Sequence, residues 1–259
     1  MDFEIRQLET ADELEAVVDL QMRVGGLPER HATSPITLKA LTLDYPRVGY
    51  VLGAFEEGRM VGFTTAFFTK EPDVMFGLML AVDPASQNSG AGRQLLQREW
   101  EIHRNNGMNR VCWTYEPLEA RNAHLYLNKM GARCVGYIED YYYIHSGLHA
   151  GLPQDRFMVE YRLDQDRGHD PDPMNLQQAL DAYPVATPEH LPRADAVLVE
   201  VPHKLHELLP ADPEAAAAFR MNTRAAFSHY INEKGYEAVG LFLGESGTGI
   251  RAFYLVKKV

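Results

Sequence analysis

The segment Val82-Asp83-Pro84-Ala85-Ser86-Gln87-Asn88-Ser89-Gly90-Ala91-Gly92-Arg93-Gln94-Leu95-Leu96 constrains this chain more than any other. It follows Val74–Val82, a run apolar on both faces that predicts a central strand. It opens a long helix expected from about Gly90 to Asn106. The first amides of a helix have no partner inside it, and the helix dipole makes that end attractive to anions. Gly90 and Gly92 carry no Cβ, so a phosphate can approach the backbone closely, and Gln87 adds a side-chain amide at the rim. The segment lacks the Gly-Lys-Ser/Thr of a P-loop and the three-glycine spacing of a dinucleotide fingerprint. The competing reading is a glycine-rich turn that holds no ligand.

Around this segment, strand and helix signals alternate over residues 1–163, which predicts an α/β domain. Phe3–Leu8 alternates like a strand, and Thr10 and Glu13 form a capping box for the helix that follows. Ser34-Pro35 opens a second helix. Tyr50–Glu56 and Met60–Thr69 read as a hairpin, Arg110–Tyr115 as a strand and Ala120–Met130 as a helix ending at Gly131. Cys134–Ile144 and Arg156–Leu163 are expected as the last two strands. Residues 164–195 are rich in Pro and Asp and read as a linker with a short helix near Asn175–Tyr183. Residues 196–259 then give strand, helix and hairpin, with Gly244–Gly249 expected as a flexible hairpin loop. Tyr126, Asn128, Gly131, Val135 and Gly136 recur 104 residues later as Tyr230, Asn232, Gly235, Val239 and Gly240, which suggests a duplicated helix–turn–strand unit. The second copy lacks the phosphate loop.

Composition narrows the function. The net charge of −11, with no extended Lys/Arg cluster, argues against nucleic-acid binding. No apolar run approaches a membrane span, and the charged start Met1–Arg6 is unlike a secretory signal. Cys112 and Cys134 form no Cys-x-x-Cys pair, so no metal site is expected and a reducing cytoplasm is the default.

The stretch Gln87-Asn88-Ser89-Gly90-Ala91-Gly92 resembles motif A of the GCN5-related N-acetyltransferases (GNAT), Gln/Arg-x-x-Gly-x-Gly/Ala, with Asn88 where that family usually has glycine. Tyr126–Gly136 looks like its motif B, and the order of elements over residues 3–163 is that family's order. The resemblance implies a mixed, mostly antiparallel sheet splayed at a central parallel pair, with a C-terminal half-GNAT-like strand–helix–hairpin unit. It implies acetyl-CoA or another acyl-CoA as co-substrate and no metal. Its pyrophosphate would lie on Gln87, Asn88, Ser89, Gly90, Ala91, Gly92 and Arg93. Its pantothenate arm would bond Leu80, Ala81 and Val82, with Trp113, Thr114 and Tyr115 near the other side of the splay, and Asn122 would bond that arm or only cap the backbone.

An amine attacking a thioester must first be neutral, the oxyanion wants a donor, and the leaving thiolate wants a proton. In this family a tyrosine four residues before the motif B glycine usually gives that proton, but the position is Leu127 here. Its neighbour Tyr126 is either the acid or a packing residue. Glu116 is a base or amine-binding group, or else a loop carboxylate or helix cap. Tyr141-Tyr142-Tyr143 is a strand triplet with one face free to line an acceptor pocket. Trp113–Ala123 looks like a signature of a branch paired with N-acylamino-acid racemases, which implies amino acids as acceptors and acetyl- or succinyl-CoA as donors. The expected function is acyl transfer to a small-molecule amine or amino acid. The alternative is a non-catalytic acyl-CoA-binding or regulatory protein. A homodimer through the C-terminal unit is a further expectation.

Overall fold

A computed structural model of the chain describes residues 3–142, 147–148, 150–164, 172–247 and 249–259. It forms two compact units. The first holds residues 1–113, 146–148 and 162–165, and the second holds 114–145, 149–161 and 166–259.

In the first unit the sheet order is β1 (Glu4–Gln7), β2 (Gly49–Glu56), β3 (Arg59–Phe68), β4 (Val74–Val82), β5 (Arg110–Tyr115). All neighbours are antiparallel except β4 and β5, which are parallel. Helices α1 (Ala11–Gly25) and α2 (Pro35–Leu41) start where the sequence says they should. Thr10 and Glu13 complete the capping box, and Ser34 caps the amide of Thr37 ahead of Pro35. Leu14, Val17, Leu20 and Leu38 of these helices pack with Val51 and Phe63 of the sheet. A separate cluster joins Ala91 and Leu95 of α3 (Ala91–Asn105) to Leu52, Ala54 and Val61.

In the second unit the order is β7 (Arg156–Arg162), β6 (Arg133–Ile138), β10 (Tyr236–Ser246), β11 (Gly249–Lys258), β9 (Ala196–Val201), β8 (Val185–Ala186). Helix α4 (Ala120–Ala123) continues as a π-helical turn, His124–Lys129. Helices α5 (Leu176–Ala182), α6 (Leu205–Ala211) and α7 (Pro213–Phe227) follow, and α7 also continues as a π-helical turn, Ser228–Glu233. Phe157 packs among Tyr115, Tyr137, Phe227 and Tyr254.

Two expectations change. The strand predicted over Cys134–Ile144 stops at Ile138. Asp140 turns the chain with φ +42°, and its amide and carboxylate bond Asp155 and Gln154 at 2.9 Å each, so Tyr141 and Tyr142 lie outside the strand. Tyr143 and Ile144 lie outside the described residues. The predicted loop Gly244–Gly249 is mostly ladder, with Gly244, Glu245 and Ser246 paired to Arg251, Ile250 and Gly249. Gly244 serves close approach instead, since a Cβ there would lie 2.9 Å from that of Leu176.

Helix α3 buries two titratable groups. Glu99 is 2% exposed and its carboxylate lies 2.6 Å from the Thr64 hydroxyl, which is 3.1 Å from the Met79 carbonyl of β4. Burial pushes the Glu99 carboxyl up to about 7, with the Thr64 bond opposing only part of the rise. Below that pH the protonated Glu99 donates to Thr64, which donates to Met79. His103 is buried, packs on Tyr50 at 5.5 Å between ring centroids, and is lowered to about 4 by burial.

These shifts act on stability with opposite signs. Folded Glu99 holds a proton that the unfolded chain has released, so its contribution is lost as pH rises from the ordinary carboxylate range towards 7. Folded His103 stays neutral where the unfolded imidazole is charged, so its contribution is lost as pH falls from 6.5 towards 4. Denaturant unfolding of wild type and Glu99→Gln should therefore diverge with pH. Wild-type stability falls relative to the variant by on the order of 3 kcal/mol between about pH 4.5 and 7. A difference that stays constant would mean that Glu99 titrates normally.

Candidate active site

The functional edge of the first unit begins where a ladder ends. β4 pairs with β5 at Val74, Met75, Phe76 and Gly77, the last opposite Trp113. It stays paired with β3 up to Val82, and the shift from Thr65↔Met79 to Ala66↔Gly77 leaves Leu78 as an extra, bulged residue. From Leu78 to Val82 the β5 side of β4 therefore has no paired strand among the described residues, so the backbone groups aimed that way are open to a ligand. Phe76–Leu80, an apolar stretch, is only half-buried. The sequence singles out Leu80, Ala81 and Val82 but misses Leu78 and Met79. Gly77 inside a strand was the available sign of a bulge.

β4 leads into the turn and helix start that the sequence singles out. Asp83 is buried, accepts the Ala85 amide at 3.0 Å and pairs with Arg59 at 3.0 Å. The Ala85 amide chiefly, and then the arginines, hold its carboxyl below the usual range against the cost of burial. Ser89 bonds the Ser86 carbonyl at 2.6 Å and tightens the turn. Asn88 and Gly90 have φ of +63° and +98°. Asparagine tolerates that left-handed region better than most residues, which explains how it replaces glycine at 88. Gly90 is the N-cap of α3 and has no side chain to cap it, and Ser89 Oγ accepts the Ala91 amide at 3.4 Å. The nearest atom to a Cβ built at Gly90 is the Gln94 side chain at 4.0 Å, so the cradle stands open. Ala91 is buried and Arg93 exposed beside it. A glycine-led helix start, two left-handed residues and an exposed arginine fit a pyrophosphate.

Glu116, Asn122 and Tyr126 belong to the second unit. Glu116 differs from a solvated loop base: it is 2% exposed, accepts the Leu118 amide at 3.0 Å and pairs with Arg220 of α7. Arg156 lies 3.8 Å from its other oxygen. Arg220 is fully buried, and although burial works against its charge, Glu116 and Asp155 hold it protonated. Arg224, one turn on, grips Asp155 at 2.6 and 3.0 Å, and the Tyr137 hydroxyl bonds the same carboxylate. No local signal ties Glu116 to an arginine 104 residues away. Tyr126 is 7% exposed with its ring on Tyr115 at 5.3 Å, and Leu127 is fully buried. Asn122 is half-buried in α4. A cleft of about 780 Å³ in this unit, lined by His124, Asn128, Arg133, Asp172 and Lys257 among others, includes none of the predicted site residues.

Among the described residues, no group of three His, Cys, Asp or Glu could hold a metal, and no helix is long and apolar enough to cross a membrane. Residues 14–132 match the Acetyltransferase (GNAT) family. Solved structures with a similar fold include the ribosomal-protein-S18-alanine N-acetyltransferase from Escherichia coli, at 21% identity over 63% of this chain and 96% of that one, with a TM-score of 0.52. Another is yncA from Salmonella typhimurium with its cofactor acetyl-CoA, at 18% identity over 67% and 100% of the two chains, TM-score 0.52. A GNAT-family protein from Desulfovibrio desulfuricans aligns at 16% identity over 62% and 99%, TM-score 0.52. No curated protein matches the sequence. The family match covers residues 14–132, and the parallel pair that parts at Gly77 and the helix start at Gly90 both lie inside it.

Proposed function

We propose that the protein moves an acetyl or succinyl group from coenzyme A to the amine of a small molecule, with amino acids as the acceptor class. One observation carries this reading: a glycine-led helix start follows, after a short turn, on a strand with an unpaired edge. Such an arrangement suits a ligand that has a pyrophosphate at one end and amides along a thin arm. In this reading the amides of Gly90, Ala91, Gly92 and Arg93 take the pyrophosphate, with Gln87, Asn88 and Ser89 around it. The backbone of Leu78–Val82 bonds the pantetheine arm.

The chemistry asks little of side chains. The neutral amine attacks the thioester carbonyl, the C–S bond breaks, and the proton lost by nitrogen is balanced by one gained at sulfur. A backbone amide on the open β4 edge donates to the oxyanion. Glu116 is already committed to Arg220 and Leu118, so this reading makes it a structural group and leaves amine deprotonation to water. Tyr126, packed on Tyr115, is likewise a packing residue, and water protonates the thiolate. The similarity of Trp113–Ala123 to the racemase-paired branch supports amino acids as acceptors.

Calorimetric titration with acetyl-CoA and succinyl-CoA, followed by thiol release in the presence of an amino-acid panel, tests the proposal. Gly90→Asp puts a carboxylate and a strained φ into the cradle, and should weaken acyl-CoA binding roughly a hundredfold, about 2.7 kcal/mol. Binding unaffected by Gly90→Asp would remove the pyrophosphate from this loop. Binding without amine-dependent thiol release would leave an acyl-CoA-binding protein. Tyr126→Phe should change kcat less than about threefold, whereas a loss beyond about a hundredfold, near 2.7 kcal/mol of barrier, would make it the acid.

A further inference from the structure

Within the second unit, contacts follow one numerical rule. The side chain of Asn128 donates to the Leu241 carbonyl at 2.7 Å and accepts from the Leu241 amide at 2.8 Å. The side chain of Asn232 does the same to Tyr137, at 2.8 and 3.0 Å. Asn232 is Asn128 shifted by 104 residues, and Leu241 is Tyr137 shifted by 104. So if position i of the first copy meets position j of the second, j of the first meets i of the second. The same rule allows a position to meet its own counterpart, and three do. Cys134 lies opposite Ala238 in the ladder, Arg133 pairs with Glu237 at 2.9 Å, and Glu116 pairs with Arg220.

The backbone repeats with the same shift. The π-helical turns are His124–Lys129 and Ser228–Glu233, followed by Gly131 and Gly235 at φ +74° and +70°. The register skips Val135 on β6 and Val239 on β10. The strand order β7-β6-β10-β11 reads the same from both ends. Reciprocal and self-paired contacts are what a twofold axis imposes on an isologous interface.

We propose that two copies of one structural unit close on each other across an approximate twofold axis between β6 and β10, as a dimer built into one chain. The edge of β6 that a second molecule would pair with is filled from within. The protein is therefore a monomer. The second copy also has a parallel pair, β8 and β9, but residues 187–195 between them form a turn with a Thr187↔His190 bridge where the first unit has α3 between β4 and β5. Among the described residues the second copy holds no phosphate cradle, so the chain binds one acyl-CoA. This last step rests on the function proposed above, whereas the closed pair does not.

Light scattering across about a hundredfold range of protein concentration should give 29.2 kDa throughout. A mass twice that at any concentration would overturn the proposal. Calorimetry with acetyl-CoA should give one site per chain, and two sites would overturn the single cradle. Monomer mass without acetyl-CoA binding would retire the acyl-CoA reading and support the built-in pair. Asn128→Ser and Asn232→Ser each remove the same two bonds and should lower Tm by similar amounts. A large drop at one position with none at the other would overturn their equivalence.

Discussion

The parting of one strand pair organises the first unit. β4 and β5 hold together for four residues and then β4 continues alone on that side, its far flank still bound to β3. An unpaired edge inside a protein is costly unless a partner satisfies its amides and carbonyls. The bulge at Leu78 lies at the point where the pairing stops, and the cradle at Gly90 lies where the strand hands over to α3. Both can therefore serve one extended ligand. Helix α3 is tied to the same strand from beneath through Glu99, Thr64 and the Met79 carbonyl, so the cradle and the open edge are held in one frame.

Local signals were readable where they act locally. The capping box at Thr10, the Ser34-Pro35 start, the glycine-led opening of α3 and the glycine end at Gly131 each depend on a few neighbouring residues. Strand ends were less legible because partners set them. Tyr141 and Tyr142 have good strand propensity, yet Asp140, Gln154 and Asp155 bond across a turn and take the chain off the ladder. Gly244 looked like a loop residue, yet it sits in a ladder because α5 needs the space.

The site divides along the same line. The helix start at Gly90 was legible because it is written in glycine spacing after a strand. The role of Glu116 was not, because the arginine that claims it arrives on α7. A carboxylate after a strand reads as a loop group until its partner is known. Once Arg220 is fully buried beside it, the two are bound to each other, since removing either takes away the other's shortest ion pair in a buried setting.

The two charged pairs on the approximate axis also bear on why one chain would carry both copies. In a dimer of identical chains, a residue that faces its own symmetry mate faces the same side chain. Glu116 would meet a glutamate and Arg133 would meet an arginine, and like charges at such short range repel. Here the second copy carries Arg220 and Glu237 at those positions, so both self-contacts become ion pairs. Copies joined in one chain can differ at positions where identical chains cannot. The contacts away from the axis face no such restriction, and there the asparagines remain identical in both copies. Divergence at the axis with identity beside it is the pattern expected when a symmetric interface is kept after its two halves become free to change separately.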